Sequence, residues 1–399
     1  MSRCDIVVIG GGLTGCAAAF YLARAGAQVV LLECNQLNQG ASGQNAGSLH
    51  FQLEHRLIRN LDKRVRELEL YLGLARHAIK AWRNIETELG TTVELGMDGG
   101  LMIAETTDQV ALLRRKLEIE RNQGLEVELL DGDAARDRAP YLSDHVRAAL
   151  YCPDEGHCNP RLLTPAYAHA AEVHGATIRT GAAVTALRRR RPFWEVTVEE
   201  ESGEIAQLRC DAVLDAAGIA AARIVAMTGV DLPLFAVRLT MNATEKTSMS
   251  LPHLVQHVGR KLSLKQTEDG NLLIGGGWPA RPRPSDGAQG GNVAAELLMA
   301  SVRGNLAVAA DIVPAVRSLR LIRSWTGSTA NTPDDLPVLG EVTGAPGLFV
   351  AAGGSGFTYG PSYAKLISEL MLDGVASYPL DPFSPDRFDG PRTFAGSGS

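Results

Sequence analysis

A glycine-rich turn between two short apolar runs constrains the fold of this chain more than any other feature. The apolar run at residues 4–9 leads directly into the sequence GGGLTG at residues 10–15, followed by an alanine-rich stretch. A second apolar run, 27–32, ends on Glu33. This order of strand, glycine turn, helix, strand and acid predicts a dinucleotide-binding βαβ unit at the start of the sequence.

Each glycine of the turn has a physical role in such a unit. Gly10 permits the tight turn, Gly12 lets the backbone approach a pyrophosphate, and Gly15 lets helix and strand pack closely. The helix N-terminus offers unpaired N–H groups to the phosphates. Glu33 can accept hydrogen bonds from ribose hydroxyls and disfavours a 2′-phosphate. The turn alone leaves both FAD and NAD open as the dinucleotide.

The composition of the chain limits which binding partners and which cellular compartment are expected. With 399 residues the chain can form two domains, and a net charge of −6 argues against nucleic acid as the main partner. No apolar stretch reaches the length of a membrane span, so a cytoplasmic protein is expected. The six cysteines are expected to be free thiols. Cys152 and Cys158 flank His157, which could suggest a metal or flavin-attachment site, but this spacing matches no standard zinc pattern and we predict no metal.

Two further loops of small residues allow backbone to approach a ligand. The first, at residues 40–48, contains Ser42 and Asn45, which can hydrogen-bond to a ligand; a flexible surface loop is the alternative. The second, at residues 353–356, follows a buried apolar run and precedes a predicted helix over 361–373. A plain strand-to-helix turn is the alternative there.

The nucleotide-binding pieces lie at both ends and in the middle of the chain, so the second domain is predicted to be inserted. Residues 322–340, rich in Thr, Asp and Pro, are expected to be irregular. The predicted boundaries are 1–85, 145–231 and 322–389 for the nucleotide-binding domain, 86–144 and 232–321 for the second domain, and 390–399 for a disordered tail.

The order and spacing of these motifs resemble the D-amino-acid oxidase-like family of FAD-dependent oxidoreductases, which includes glycine oxidase, sarcosine oxidase, D-amino-acid dehydrogenase and opine oxidase relatives. The resemblance implies an α/β fold: a glutathione-reductase-like FAD-binding Rossmann domain with an inserted α+β substrate domain built on a mixed sheet. The motifs that carry it are 8–15, Glu33, 40–47, 216–218, 325–327, 332–340 and 352–358.

The resemblance also implies a set of FAD-binding residues spread along the chain. They would hold the ADP half, the pyrophosphate and the isoalloxazine ring, with the helix after residue 358 directing its N-terminus at the flavin. The implied residues are Gly10, Gly12, Leu13, Thr14, Gly15, Glu33, Ser42, Gln44, Asn45, Ala46, Gly47, Val184, Ala217, Gly218, Gly354, Ser355, Gly356, Phe357 and Thr358.

The sequence departs from the family at the substrate. Many relatives carry an arginine for the substrate carboxylate where this chain has Thr329. Arg323 is a candidate replacement, with an ordinary surface arginine as the alternative, and His50 is a candidate to face the flavin. In sarcosine oxidase relatives a lysine near the flavin promotes reaction with oxygen. Lys265 is the candidate for that role, although a surface lysine is the favoured interpretation.

The function that the resemblance implies is FAD-dependent oxidation of a C–N bond in an amino acid or N-substituted amino acid. Hydride passes to flavin N5, and the imine hydrolyses to a keto acid and an amine. The chain could be a solo oxidase or the flavin subunit of a heteromeric opine or amino-acid dehydrogenase. The alternatives are a structural or tRNA-modifying flavoprotein and, less favoured, a nicotinamide-only dehydrogenase.

Overall fold

A computed structural model describes residues 2–59, 61, 63–283 and 295–388. The predicted tail, 390–399, lies outside the described residues. The strands, numbered in chain order, are β1 Ser2–Arg3, β2 Ile6–Ile9, β3 Val29–Leu32, β4 Ser48–Leu49, β5 Gly100–Ala104, β6 Glu128–Asp131, β7 Ala148–Cys152, β8 Gly156–His157, β9 Thr177–Arg179, β10 Ala182–Arg190, β11 Phe193–Glu200, β12 Ile205–Cys210, β13 Ala212–Asp215, β14 Phe235–Lys246, β15 Leu254–His257, β16 Ser263–Gln266, β17 Asn271–Gly275, β18 Arg281–Pro282, β19 Ala295–Glu296, β20 Leu321–Asn331, β21 Val338–Glu341 and β22 Leu348–Ala352.

The α-helices are named in the same way. Among the described residues none is long and apolar enough to cross a membrane. The helices are α1 Leu13–Arg24, α2 Ala41–Gln44, α3 His55–Ile58, α4 Val65–Trp82, α5 Ile85–Leu89, α6 Thr107–Asn122, α7 Gly132–Arg138, α8 Pro160–Val173, α9 Ala221–Ala226, α10 Met299–Ile312 and α11 Gly360–Asp373.

The chain divides into two compact units, each assembled from separate stretches of sequence. The nucleotide unit comprises residues 1–43, 164–236 and 329–399, and the second unit comprises residues 44–163 and 237–328. These boundaries differ from the predicted domains, because 232–236 belong to the nucleotide unit and 44–85, 145–163 and 322–328 belong to the second unit. The physical reason is pairing within that unit: β4 is antiparallel to β8, and the backbone N–H of Leu53 donates to the Glu120 carboxylate.

The nucleotide unit is built on a six-stranded sheet in the order β21-β22-β13-β2-β3-β9. Strands β22, β13, β2, β3 and β9 are parallel, and β21 is antiparallel to β22. Because parallel strands are covered on both faces, β2 is a continuous buried apolar run, and β13 buries Val213, Leu214 and Asp215. The carboxyl ends of β2, β13 and β22 therefore meet at one edge of the sheet, where ligands bind in open α/β sheets.

The predicted three-stranded meander forms the second sheet of this unit. Strands β10, β11 and β12 are antiparallel neighbours, and β1 adds to β12 in parallel. Their inward residues Trp194, Val196 and Val198 join one apolar core with Val213 of β13 and Val350 of β22. Burial of this core against the six-stranded sheet holds the two sheets of the unit together.

The second unit contains an eight-stranded sheet in the order β20-β14-β17-β16-β15-β5-β7-β6. Alternate residues of a strand point to opposite faces. Leu264 on β16 and Ile274 on β17 are paired, and both join an apolar core with Ile312 of α10. Lys265, which follows Leu264, therefore lies on the opposite face of the sheet from α10.

One local prediction is wrong. The composition of residues 322–340 predicts irregular structure, but 321–331 form β20, and β21 begins at Val338. The β20 sequence LIRSWTGSTAN alternates poorly between apolar and polar residues, and much of the strand is only half-buried. Its extended conformation comes from pairing with β14 at the edge of the eight-stranded sheet, a tertiary effect that local composition does not report.

Candidate cofactor and active site

The glycine turn of the nucleotide unit has the geometry that a close backbone approach requires. Gly10 has a φ of 110°, and a Cβ placed on it would lie 2.6 Å from the Ala216 carbonyl oxygen. A Cβ on Gly15 would overlap the carbonyl oxygen of Gly10. Both positions accept only glycine, because one needs a left-handed backbone and the other leaves no volume for a methyl group.

The N-terminus of α1 is open to an anion. Its N-cap residue, Gly12, supplies no side-chain cap, and its first turn carries no acidic residue. A Cβ on Gly12 would meet only Ser42 within 4 Å, with Oγ at 3.1 Å. The Ser42 hydroxyl accepts the N–H of Leu13 at 2.9 Å. A cradle lined by backbone N–H groups and one hydroxyl fits the pyrophosphate of a dinucleotide.

The predicted ribose-binding acid is held in place by the same turn. One carboxylate oxygen of Glu33 accepts the N–H of Gly11 at 2.7 Å, and the other accepts the N–H of Asn35 at 2.8 Å. The oxygen that accepts Gly11 keeps a lone pair for a further donor, whereas the other oxygen also accepts the Cys34 thiol at 3.4 Å. Glu33 is thus oriented beside the glycine turn with capacity for ribose hydroxyls.

A second helix N-terminus lies next to the first within this unit. Gly353 and Gly354 adopt φ values of 78° and 62°, and residues 353–359 lead into α11. The first residue of α11, Gly360, packs so closely on α1 that a Cβ there would lie 3.2 Å from Leu13 and 3.3 Å from Thr14. The first turn of α11 also carries no acid. Two positive helix ends at one place fit a ligand with more than one electron-rich group.

The remaining predicted FAD residues of this unit lie on the meander and at the end of β13. Val184 is buried on β10, where the register with β11 shifts between Val184 and Ala186. Ala217 donates its N–H to the Asp215 carboxylate at 3.0 Å, and Gly218 follows with a φ of 58°. The tight turn that the small residues predict is therefore present directly after β13.

Asp215 is a feature that sequence reasoning missed. Its side chain is fully buried, and among the described residues its Oδ2 atom has no hydrogen-bond partner. Burial raises the pKa of Asp215 to about 8, although the N–H of Ala217 opposes the shift. The carboxyl is therefore mainly neutral at pH 7. The only sequence signal was a single acid at the end of an apolar run.

The predicted loop residues 44–47 lie in the second unit. The Asn45 side chain accepts the N–H of Gly47 at 2.6 Å, and the carbonyl of Gly47 accepts the N–H of Cys158 at 2.9 Å. The indole N–H of Trp325 donates to the Gln44 carbonyl at 2.7 Å. The Trp-x-Gly motif of β20 is thus joined to the loop through Gln44.

Lys265 is buried, so the surface interpretation favoured from the sequence is wrong. Its side chain is 3% exposed, and its Nζ atom donates to the Cys158 carbonyl oxygen at 3.5 Å. Burial lowers the pKa of Lys265 to about 8. The reason is its place on β16: the residue points away from α10, into the part of the unit covered by the chain at 156–158.

Two histidines lie in the same part of the second unit. His50 contacts the hydroxyl of Ser263 through Nε2 at 3.3 Å, and Ser263 precedes Lys265 by two residues on β16. Burial, and then the charge of Lys265, lower the pKa of His157 to about 4. The structure therefore brings together His50 and Lys265, which were predicted, with His157, which the sequence had suggested only for a metal or flavin attachment.

Arg323 is not part of this cluster. It is exposed on β20, with its guanidinium carbon 5.8 Å from the centre of the Trp325 ring. Strands β17 and β14 separate β20 from the β16 strand of Lys265, which corresponds to roughly 14 Å between the two backbones.

Similarity to known proteins identifies the family. Residues 5–370 match the family described as FAD dependent oxidoreductase (DAO). Dimethylglycine dehydrogenase of Rattus norvegicus mitochondria is 28% identical over 97% of this chain but 45% of its own length, so the chain spans about half of that relative. A subunit of the opine oxidase of Agrobacterium tumefaciens is 26% identical over 97% of this chain and 98% of its own.

The structural comparison gives the same result. The crystal structure of glycine oxidase from Geobacillus kaustophilus superposes with a TM-score of 0.83 at 25% identity, covering 98% of this chain and 100% of that one. The predicted fold and FAD as the dinucleotide are confirmed, and the nicotinamide-only alternative is set aside. This chain belongs to the D-amino-acid oxidase-like family of FAD-dependent oxidoreductases.

Proposed function

We propose that the protein oxidises a C–N bond in an amino acid or N-substituted amino acid. The observation that carries the proposal is full-length similarity to two proteins named for such substrates. Glycine oxidase is covered over 100% of its chain and the opine oxidase subunit over 98%. Dimethylglycine dehydrogenase, by contrast, is covered over 45% of its length.

We assign FAD binding to the open ends of α1 and α11, to Glu33 and to Ser42. When bound, FAD supplies the acceptor for the hydride removed from the substrate carbon. The backbone N–H of Gly12 and the positive N-terminus of α1 can neutralise pyrophosphate charge without a cationic side chain, whereas the N–H of Leu13 is bound by the Ser42 hydroxyl. The N-terminus of α11 would stabilise negative charge on the cofactor, because its first turn carries no competing acid.

We assign handling of the substrate to the second unit. The substrate nitrogen must be unprotonated for its lone pair to form the C=N bond as hydride leaves. His157, whose pKa is lowered to about 4, remains neutral at physiological pH and so adds no positive charge to this part of the unit. Lys265, with a pKa of about 8, can hold or release one close to neutrality. Arg323 is the proposed ligand for the substrate carboxylate, since Thr329 cannot form an ion pair.

We also propose that the protein works with partner subunits that accept its electrons. The proposal rests on the similarity to the opine oxidase relative, which is named as one component of an assembly. A cytoplasmic location likewise stays a prediction. The partner proposal expects slow reaction of the isolated chain with oxygen and fast reaction with an artificial electron acceptor.

The experiment that tests the function is an anaerobic titration of the purified, FAD-loaded protein. Glycine, sarcosine, D-amino acids, D-hydroxyproline, octopine and nopaline are added in turn while flavin absorbance is followed. Bleaching by one of them establishes C–N oxidation and identifies the substrate class. Admission of air then separates an oxidase from a partner-dependent dehydrogenase. Yellow protein that no compound bleaches would contradict the proposal and favour a flavoprotein without amine chemistry.

A further inference from the structure

The second unit contains a buried polar network that the assigned chemistry does not use. It lies in the buried interior of the unit, where apolar side chains are the usual occupants, and its members are joined by direct hydrogen bonds. All of them are at most 3% exposed. The members are Gln52, Lys116, Glu120, Glu155 and Gln256.

Glu155 is the centre of this network. One carboxylate oxygen accepts the backbone N–H groups of Phe51 and Gln52, each at 2.9 Å. The other oxygen accepts the Gln52 side-chain amide at 2.9 Å and the Gln256 amide at 3.2 Å. Four donors therefore converge on one buried carboxylate, which satisfies its lone pairs and explains how it is tolerated without water.

These hydrogen bonds join two chain segments, 47–52 and 155–158, into a closed ring that contains predicted site residues. Glu155 directly precedes β8, and β8 pairs with β4, with Ser48 opposite His157. The chain then runs from β4 through His50 and returns to the Glu155 carboxylate at Phe51. The residue between the two attachments, His50, is thus fixed from both sides.

The same ring fixes the surroundings of Lys265. The carbonyl of Cys158, which accepts from the Lys265 ammonium, belongs to a residue whose own N–H donates to Gly47. A Cβ on Gly47 would overlap the Cys158 carbonyl, so the two chain segments are in direct contact. Displacement of the segment 47–52 would therefore move the acceptor of Lys265 as well as His50.

The other two charged members of the network, Lys116 and Glu120, hold the chain at residues 52 and 53. Lys116 donates to the Gln52 side chain at 2.7 Å and to Glu120 at 2.9 Å. Glu120 in turn accepts the N–H of Leu53 at 2.6 Å. Residues 51–53 thus have every one of their backbone N–H groups bound by a buried carboxylate, all from elements of the second unit.

We propose that Glu155 is a positioning residue that holds His50, His157 and the Lys265 acceptor in the arrangement the reaction requires. This inference rests on the proposed function and deepens it. Replacing a buried charged network by well-packed apolar residues is often neutral or stabilising, so we attribute to this network the fixing of one geometry. Reacting groups lose rate steeply when they shift by about 1 Å.

The test compares E155Q with E105Q as a matched control. Glu105 is also a carboxylate of the second unit, but one of its oxygens binds both His257 and Arg260 instead of the segment 47–53. Gln at 155 keeps the shape and offers an NH₂ group where two N–H donors converge. Q256M, which removes one of the four donors, is the milder variant if E155Q folds poorly.

The first readout is amide hydrogen exchange in the apoprotein, which needs neither FAD nor activity. We expect exchange of residues 48–53 and 156–158 to accelerate at least roughly tenfold in E155Q and to stay unchanged in E105Q. The second readout is the rate of anaerobic flavin reduction against substrate concentration. We expect the limiting rate to fall roughly 10- to 100-fold with a much smaller change in KM.

The outcomes separate the two proposals. Unchanged exchange in E155Q, or faster exchange with an unchanged limiting rate, would overturn the positioning role while leaving the function intact. Wild-type protein that no substrate reduces would overturn the function itself and with it the role assigned to Glu155. Faster exchange and a lower limiting rate in E155Q, with a smaller effect of the same kind in Q256M, would support the positioning role.

Discussion

The two units prepare their parts of the chemistry in opposite ways. In the nucleotide unit the candidate cofactor cradle is made of backbone: glycine turns, two helix N-termini and one serine hydroxyl. In the second unit the candidate reacting groups are side chains held by other side chains, and Lys265 is 3% exposed. The backbone cradle requires positions without Cβ atoms. The side-chain cluster instead requires neighbouring groups that bury its members and bind them.

The difference extends to one ionisable group in each unit. Asp215 in the nucleotide unit is an acid whose pKa burial raises, and Lys265 in the second unit is a base whose pKa burial lowers. Both are disfavoured in their charged forms by desolvation. As pH rises, the contribution of Asp215 to the free energy of unfolding therefore falls, and that of Lys265 rises. Measurements at two pH values can thus test the two units separately.

The largest expected effect comes from closing the backbone cradle. In G15A the new methyl group would overlap the Gly10 carbonyl, so the turn must move and FAD should be lost during purification. G203A is the control, because Gly203 lies in the turn between β11 and β12, away from the cradle, and a Cβ there has nothing within 4 Å. The measurement is the flavin-to-protein absorbance ratio after gel filtration. G15A that retains a full complement of flavin would contradict the cradle.

The next effect concerns Asp215. Its pKa is about 8 in the folded protein and near 3.8 when unfolded, so the native state retains a proton that the unfolded state releases. Its contribution to stability is complete below pH 3.8 and is lost as pH rises to about 8. D215N should raise the free energy of unfolding at pH 8 by on the order of 3 kcal/mol and much less at pH 4.

Urea unfolding of the apoprotein at the two pH values measures this difference. The exposed Asp211, four residues earlier, provides the control D211N, which should change stability little at either pH. An equal effect of D215N at pH 4 and pH 8 would show that the side chain acts through packing and not through ionisation.

Lys265 should give the opposite slope. Its pKa is about 8 in the folded protein against 10.5 unfolded, so the unfolded state binds more protons between these values. Stability from this group is therefore lowest below pH 8 and recovers toward pH 10.5. K265M should stabilise the apoprotein by on the order of 2 kcal/mol at pH 7 and by less at pH 10, while lowering the rate of the loaded enzyme.

The control for this substitution is K246M, because Lys246 forms an exposed ion pair with Asp269. That variant should have a stability within about 0.5 kcal/mol of the wild type at both pH values. If K265M destabilised the protein at pH 7, the buried ammonium would have a favourable partner, and the comparison between the units would fail.

The smallest effect is expected at the single side chain of the cradle. S42A removes the acceptor of the Leu13 N–H, but the backbone groups of the cradle remain. FAD affinity should fall by about 1 kcal/mol, roughly fivefold, as for one ordinary hydrogen bond. Fluorescence titration of apoprotein with FAD measures it, with S42T as the variant that keeps the hydroxyl. A loss of more than about a hundredfold would mean that the cradle depends on side chains after all.

The sequence by itself determined the nucleotide unit in most of its parts. The turn at 10–15, the acid at 33, the meander and the helix after residue 358 were all predicted, since glycine spacing and apolar periodicity are local properties. Gly10 and Gly15 can be interpreted without a structure because the conformation and volume they require exclude other residues.

In the second unit, the features that matter for the candidate site were decided only by the tertiary structure. The strand at 321–331 exists through pairing with β14, and the burial of Lys265 follows from which face of β16 it occupies. Lys116 and Glu120, four apart on α6, have the spacing of a solvent-exposed helical pair, yet both are fully buried. Their partners Gln52 and Leu53 are 64 and 67 residues away in sequence. No local pattern reports such contacts, because burial is set by what distant segments place around a side chain.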